Sequence, residues 1–189
     1  AGNIYVGQTL AESSLSGGSA SVVGEFVWKN PNLVPVVGIN SYLVQFVPES
    51  NNYNILEEEV VVEVIQITVT FKDDSGQRIV NVDYNSTLQY ASFPMVTERT
   101  GYSGKWNVSE NITNITTFKT VTAIYEIINY NISYNLAGGT VSGINPISYN
   151  ITTDDIKLIN PTRDGYDFIG WTGSNLSEPT LEVIIPTGT

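Results

Sequence analysis

The stretch Ile65-Gln66-Ile67-Thr68-Val69-Thr70-Phe71 decides the fold. Its apolar residues Ile65, Ile67, Val69 and Phe71 alternate with Gln66, Thr68 and Thr70, so one set of side chains faces a core and the other faces water, which is the period of a half-buried β-strand. The same alternation returns at Tyr130, Ile132, Tyr134 and Leu136, at Val80, Val82 and Tyr84, and at Val121, Ala123 and Tyr125. No apolar stripe of helical period is sustained, and β-branched Val, Ile and Thr are frequent, so the chain is predicted to be mainly β with minor helix. Asp73-Asp74-Ser75-Gly76 and Gly138-Gly139 follow two of these strands and supply turn chemistry, predicting hairpin tips. A single helical turn capped by Ser86 or Thr87 is expected over Asn85–Tyr90.

Outward from this strand the sequence repeats itself. Arg99-Thr-Gly101-Tyr102 and Trp106 return about 64 residues downstream as Arg163-Asp-Gly165-Tyr166 and Trp171. Self-similarity at a fixed period marks modules in series, which space or bind things more readily than they converge on one catalytic pocket. The N-terminal part reads differently: Gly24–Trp28, Tyr42–Phe46 and Val60–Val64 alternate as strands, with turns at Asn30-Pro31 and Val37-Gly38, predicting a small sandwich. Three modules of about 60 residues therefore follow, 1–65, 66–127 and 128–189, each with a small core. Because Val60–Val64 runs almost directly into the Ile65 strand, the linker is short and a semi-stiff rod is expected.

Gly7-Gln-Thr-Leu10, Leu15-Ser-Gly-Gly18, Gly24-Glu-Phe-Val-Trp28-Lys-Asn-Pro31, Phe46-Val-Pro48 and Asn52-Tyr53-Asn54 resemble an immunoglobulin-like repeat of bacterial surface proteins. From Tyr130 onward, Asn160-Pro-Thr-Arg163-Asp-Gly165-Tyr166-Asp-Phe168-Ile-Gly170-Trp171 looks like the Listeria-Bacteroides repeat, akin to the internalin B-repeat. Residues 66–127 look like a divergent copy, with Gly101-Tyr102 and Gly104-Lys105-Trp106 one residue closer together and no counterpart of Phe168. The resemblance implies a β-grasp-like fold for both repeats, in multi-repeat proteins displayed on bacteria as stalks or adhesive units, and it brings no catalytic residues. Family members finish with a strand after the Pro-Thr-Gly turn, as Thr120–Glu126 does here, whereas the sequence stops at Pro186-Thr-Gly-Thr189. The last module is therefore expected to lack its closing strand within these residues, leaving an edge able to pair.

Composition removes several function classes. A net charge of -11 with only 8 basic residues disfavours a phosphate backbone, so no nucleic-acid partner is expected. No run approaches about 18 apolar residues and no leader pattern opens the chain, so neither membrane contact nor a signal peptide is expected in this segment, and a start at Ala1 reads as an excised piece. Zero cysteine excludes disulfides, and zero histidine removes the commonest general base and transition-metal ligand.

Each candidate chemistry has a plainer reading. Trp28, Trp106 and Trp171, with 11 tyrosines, invite a sugar-stacking platform, but Trp106 and Trp171 hold the same repeat position and Trp28 shares a strand face with Phe26, as core anchors do. Tyr53 and Tyr90 are left without a role. Glu57-Glu58-Glu59, Asp73-Asp74 and Asp154-Asp155 are consecutive acids that point apart or into water, and no spacing suits a carboxylate dyad or a calcium loop. The abundant Ser and Thr lack a His base, and neither Ser-x-x-Lys nor Gly-x-Ser-x-Gly occurs. Glycosylation sequons at Asn85, Asn107, Asn111, Asn114, Asn131, Asn150 and Asn175 are attributed to an Asn- and Thr-rich composition. No catalytic, cofactor-binding or metal-ligating residue is assigned. The expectation is a non-enzymatic, extracellular stalk or adhesion region on a bacterial cell surface, with an unidentified protein or glycan on a host or neighbouring cell as its ligand. The alternative is a carbohydrate-binding accessory module of a larger secreted enzyme.

Overall fold

The computed structural model describes residues 1–173 and 175–187. Among these the chain is mainly β: its only helical elements are two 3-10 turns, Leu10–Glu12 and Tyr90–Ser92. The first sheet is built from β1 (Ile4–Tyr5), β2 (Gly24–Trp28), β3 (Gly38–Pro48) and β4 (Leu56–Ile65) in the order β1-β4-β3-β2. β1 joins β4 in parallel and the other pairings are antiparallel. Trp28 pairs with Val44, and Val62 and Val64 lie on the same face, so period-two alternation gathers them with Ile4 and Leu10 into one buried cluster. The irregular chain around Leu10 and Leu15 covers this face.

Next come β5 (Ile67–Asp73), β6 (Gly76–Val82), β7 (Ser86–Leu88), β8 (Tyr102–Trp106), β9 (Ile112–Ile115) and β10 (Lys119–Ile127). They form a four-stranded sheet in the order β6-β5-β10-β8 and a β7-β9 pair. The Ile67–Phe71 alternation is realised: Ile67, Val69 and Phe71 are each 0% exposed, while Thr68 and Thr70 are half-buried. Phe71 lies 4.9 Å from Phe93 and 5.0 Å from Trp106 between ring centroids. Asp73 faces Gly76 at the hairpin tip, where Gly76 takes φ 123, a backbone region open to glycine at little cost.

The helical turn expected at Asn85–Tyr90 is corrected. Ser86–Leu88 is a strand, and the 3-10 turn begins later, at Tyr90. Burying Leu88 in the pair with β9 outweighs the capping signal, and the Ser86 hydroxyl donates back to the Asp83 carbonyl instead of accepting a helical N–H.

The last elements are β11 (Tyr130–Asn131), β12 (Ser148–Tyr149), β13 (Ile156–Lys157), β14 (Trp171–Gly173), β15 (Leu176–Thr180) and β16 (Ile184–Ile185). They pair as β11-β12, β13-β16 and β14-β15, all antiparallel. Exposure still alternates from Asn131 to Leu136, although of this stretch only Asn131, with Tyr130 before it, lies in a ladder. Gly138, at φ 83, turns the chain, and the Gly139 N–H donates to the Leu136 carbonyl at 2.8 Å. Gly188 and Thr189, at the end of the 128–189 segment, lie outside the described residues.

The chain divides into two compact units, residues 1–95 with 106–123 and residues 96–105 with 124–189. Within the first unit, Gln66 alone separates β4 from β5. Its side-chain amide donates to the carbonyls of Ile67 and Val82, the Tyr84 N–H donates to the Val6 carbonyl at 2.7 Å, and Tyr5 stacks on Tyr84 with centroids 5.6 Å apart. These contacts tie the 1–65 segment to the start of the next.

Candidate functional site

A concavity of the first unit lies at the Gly24–Pro48 end of the first sheet and adjoins the Trp28 cluster at Val44. Its floor is Phe26 and Phe46, opposite each other on β2 and β3 with centroids 5.0 Å apart, and Leu56 beside Phe46 on β4. Tyr53 and Pro48 continue one wall, the small residues Gly18–Val22 form the other, and the space between is about 710 Å³. Two glycines shape it. A Cβ on Gly18 would stand 2.9 Å from the Phe26 ring, and one on Gly24 would stand 2.5 Å from both the Phe46 ring and the Val47 carbonyl oxygen. Backbone thus approaches ring more closely than any side chain permits.

The groove is apolar below and acidic at the rim. Phe26 is 39% exposed, Tyr53 55% and Leu56 68%, and Glu58 shares the face of Val44 beside them. Neighbouring Glu57 accepts hydrogen bonds from the Lys29 ammonium and the Gln45 amide, both at 2.8 Å, and these hold its carboxyl below the usual glutamate range. Apolar ring faces beside a fixed negative rim suit a ligand with a flat hydrophobic side and hydroxyl or cationic donors.

The tryptophans lie elsewhere, as the core reading requires. Trp28, Trp106 and Trp171 are 7%, 6% and 8% exposed. Each indole N–H is taken up internally, by the Ser13 carbonyl at 2.9 Å, the Pro94 carbonyl at 2.7 Å and the Asn160 side-chain oxygen at 2.9 Å. Phe26, read with Trp28 as core, instead lies on the groove floor, and Tyr53, left without a role, stands on its wall. The signal that was missed is the run Gly17-Gly-Ser-Ala-Ser21, whose side chains are too small to cover the aromatic residues facing them.

The Arg-x-Gly-Tyr motif builds the same device twice. Arg99 and Arg163 each bridge to the tyrosine three residues on, with N–H to carbonyl distances of 3.0 and 3.1 Å. Gly101 and Gly165 take φ 76 and 75, and each guanidinium lies over its tyrosine ring at 4.1 and 3.9 Å.

The acids do not converge. Asp73 pairs with Arg78, Glu57 with Lys29, and the Asp155 carboxylate accepts the Thr187 N–H. Glu12 is also held low, chiefly by the Thr9 N–H, a direction opposite to that needed for a proton donor. Among the described residues no three His, Cys, Asp or Glu side chains are grouped to hold a metal ion. Six of the seven sequon asparagines have structural uses. Asn85, Asn114 and Asn175 adopt φ 56, 50 and 65, the left-handed region asparagine tolerates, while Asn107, Asn111 and Asn150 accept backbone N–H groups through their side chains.

A family model described as the Listeria-Bacteroides repeat domain matches residues 130–182, less than half of the 189-residue chain. No curated protein and no solved structure matches it.

Proposed function

We propose that this chain is a non-enzymatic, extracellular repeat region of a bacterial cell-surface protein, acting as a spacer or adhesion module. In this reading residues 1–65 are an immunoglobulin-like module, and residues 66–127 and 128–189 are two Listeria-Bacteroides-type repeats of β-grasp-like fold. The observation that carries it is the match over residues 130–182 together with the recurrence, within 66–127, of the Arg-x-Gly-Tyr bridge and a buried, internally bonded tryptophan. Separated, individually paired acids and a chain without histidine support the non-enzymatic part. No helix among the described residues is long and apolar enough to cross a membrane.

The groove favours a second reading, a carbohydrate-binding accessory module, because Phe26 and Tyr53 offer ring faces beside Glu58. Titration with a polysaccharide panel, read by calorimetry on the wild type and on Tyr53→Ala, separates the two. A spacer gives no saturable heat; saturable binding lost in Tyr53→Ala would move the assignment to the accessory module. Release of reducing sugar from any member of the panel would refute the non-enzymatic reading.

A further inference from the structure

The groove between Gly18–Val22 and the Phe26–Phe46 floor carries a charge that its own walls do not balance. Glu58 stands on β4 opposite Val44 and two residues along the same face from Leu56, so about 7 Å of strand separates it from the apolar floor. Its carboxylate makes no hydrogen bond or ion pair among the described residues, whereas neighbouring Glu57 is matched by Lys29 and Gln45, both at 2.8 Å. No lysine or arginine lines the groove. An acid beside aromatic rings, with no cation of its own, is the complement of a ligand that is both apolar and positively charged. The floor also selects by shape. Phe26 and Phe46 are inclined at 49°, so together they present no single plane as broad as a sugar ring stacks on, while one ring suffices for the narrower plate of a guanidinium. The chain makes that contact twice within itself, with the Arg99 guanidinium 4.1 Å from the Tyr102 ring centroid and that of Arg163 3.9 Å from the Tyr166 centroid. Every wall of the groove comes from residues 18–58.

We propose that this groove binds an arginine side chain of a basic polypeptide. The guanidinium pairs with Glu58 and stacks on the Tyr53 ring, and an apolar neighbour of the arginine rests on Phe46 and Leu56. This rests on the adhesion half of the proposed function and names the chemistry of its ligand. The net charge of -11 draws such a partner toward the chain and turns an acidic one away.

The probe is the peptide acetyl-Gly-Phe-Arg-Phe-Gly-amide, titrated into the whole chain at about 0.1 M salt and read by amide chemical shifts, beside the same peptide with glutamine in place of arginine. The expected result is saturable shifts confined to Gly18–Val22, Phe26, Phe46 and Tyr53–Glu58, with the glutamine peptide binding about tenfold more weakly. Glu58→Gln and Tyr53→Ala should each weaken the arginine peptide about three- to fivefold. Glu59→Gln removes the same charge from the opposite face of β4, where Glu59 lies across from Leu43, and should change the affinity less than about twofold. The proposal is overturned if the arginine peptide does not saturate, if its glutamine form binds equally well, or if Glu59→Gln weakens binding as much as Glu58→Gln, since only the general field would then be acting. The polysaccharide titration keeps the two readings apart: failure of the peptide with no saturable polysaccharide heat strikes this site and leaves the spacer, whereas polysaccharide binding that is lost in Tyr53→Ala strikes the proposed function itself.

Discussion

Truncating Phe71 and Leu136 to alanine measures how much the partner strand contributes to each copy. Phe71 is 0% exposed, sits within 5.0 Å of both the Phe93 and Trp106 rings, and lies opposite Val121 on a strand paired along both edges. Phe71→Ala removes a fully buried ring and leaves its two ring contacts unfilled, which costs about 3–5 kcal/mol. Leu136 is half-buried, with a cleft of about 160 Å³ already beside it, so Leu136→Ala removes less area from cover and creates little new void. Its cost should be about 1–2 kcal/mol. Because the chain divides into two units, a single global unfolding curve would mix them; urea-dependent hydrogen exchange resolves the opening free energy around each strand separately. Equal costs at the two sites, or a larger one at Leu136, would refute the argument that the downstream strand lacks the cover that β10 gives β5.

Further outcomes follow from particular contacts. Gly24→Ala forces a Cβ to within 2.5 Å of the Phe46 ring and the Val47 carbonyl oxygen, so it should lower stability by about 1–3 kcal/mol in thermal melts, and an unchanged midpoint would count against the close approach. Asn160→Ala removes the acceptor for the Trp171 indole N–H and should cost about 1 kcal/mol with a shift in indole emission, while Asn160→Asp keeps the acceptor and most of the stability. Glu57 has a folded pKa below its unfolded value because Lys29 and Gln45 donate to the carboxylate, so its contribution is present above the unfolded value and lost as pH falls through the folded one. A carboxyl NMR titration should place the Glu57 midpoint low in the wild type and nearer the ordinary glutamate range in Lys29→Met; identical midpoints would dismiss the pair.

Much of the β-architecture was legible because strand alternation is local: Ile67, Val69 and Phe71 are buried in the pattern that their spacing announces. The recurrence of Arg-x-Gly-Tyr was legible as a sequence repeat, while the turn it makes, with a left-handed glycine and a guanidinium over the following tyrosine ring, came from the structure. Ser86–Leu88 was misread because a cap residue is a weak local preference and pairing with Ile112–Ile115 is a long-range one. The groove escaped for a related reason: whether Phe26 is buried depends on the volume of Gly18–Val22, which reaches it only through the tertiary fold.

By itself the amino-acid order determined the strand class, the recurring Arg-x-Gly-Tyr motif and the burial of the tryptophans, because each follows from side-chain chemistry or short-range period. Only the tertiary structure decided which edges are occupied and which aromatic rings stay open. Those depend on whether a distant segment covers a given face, and two chemically similar strands, Ile67–Phe71 and Tyr130–Leu136, differ in burial because one has β10 beside it and the other, among the described residues, has no such strand.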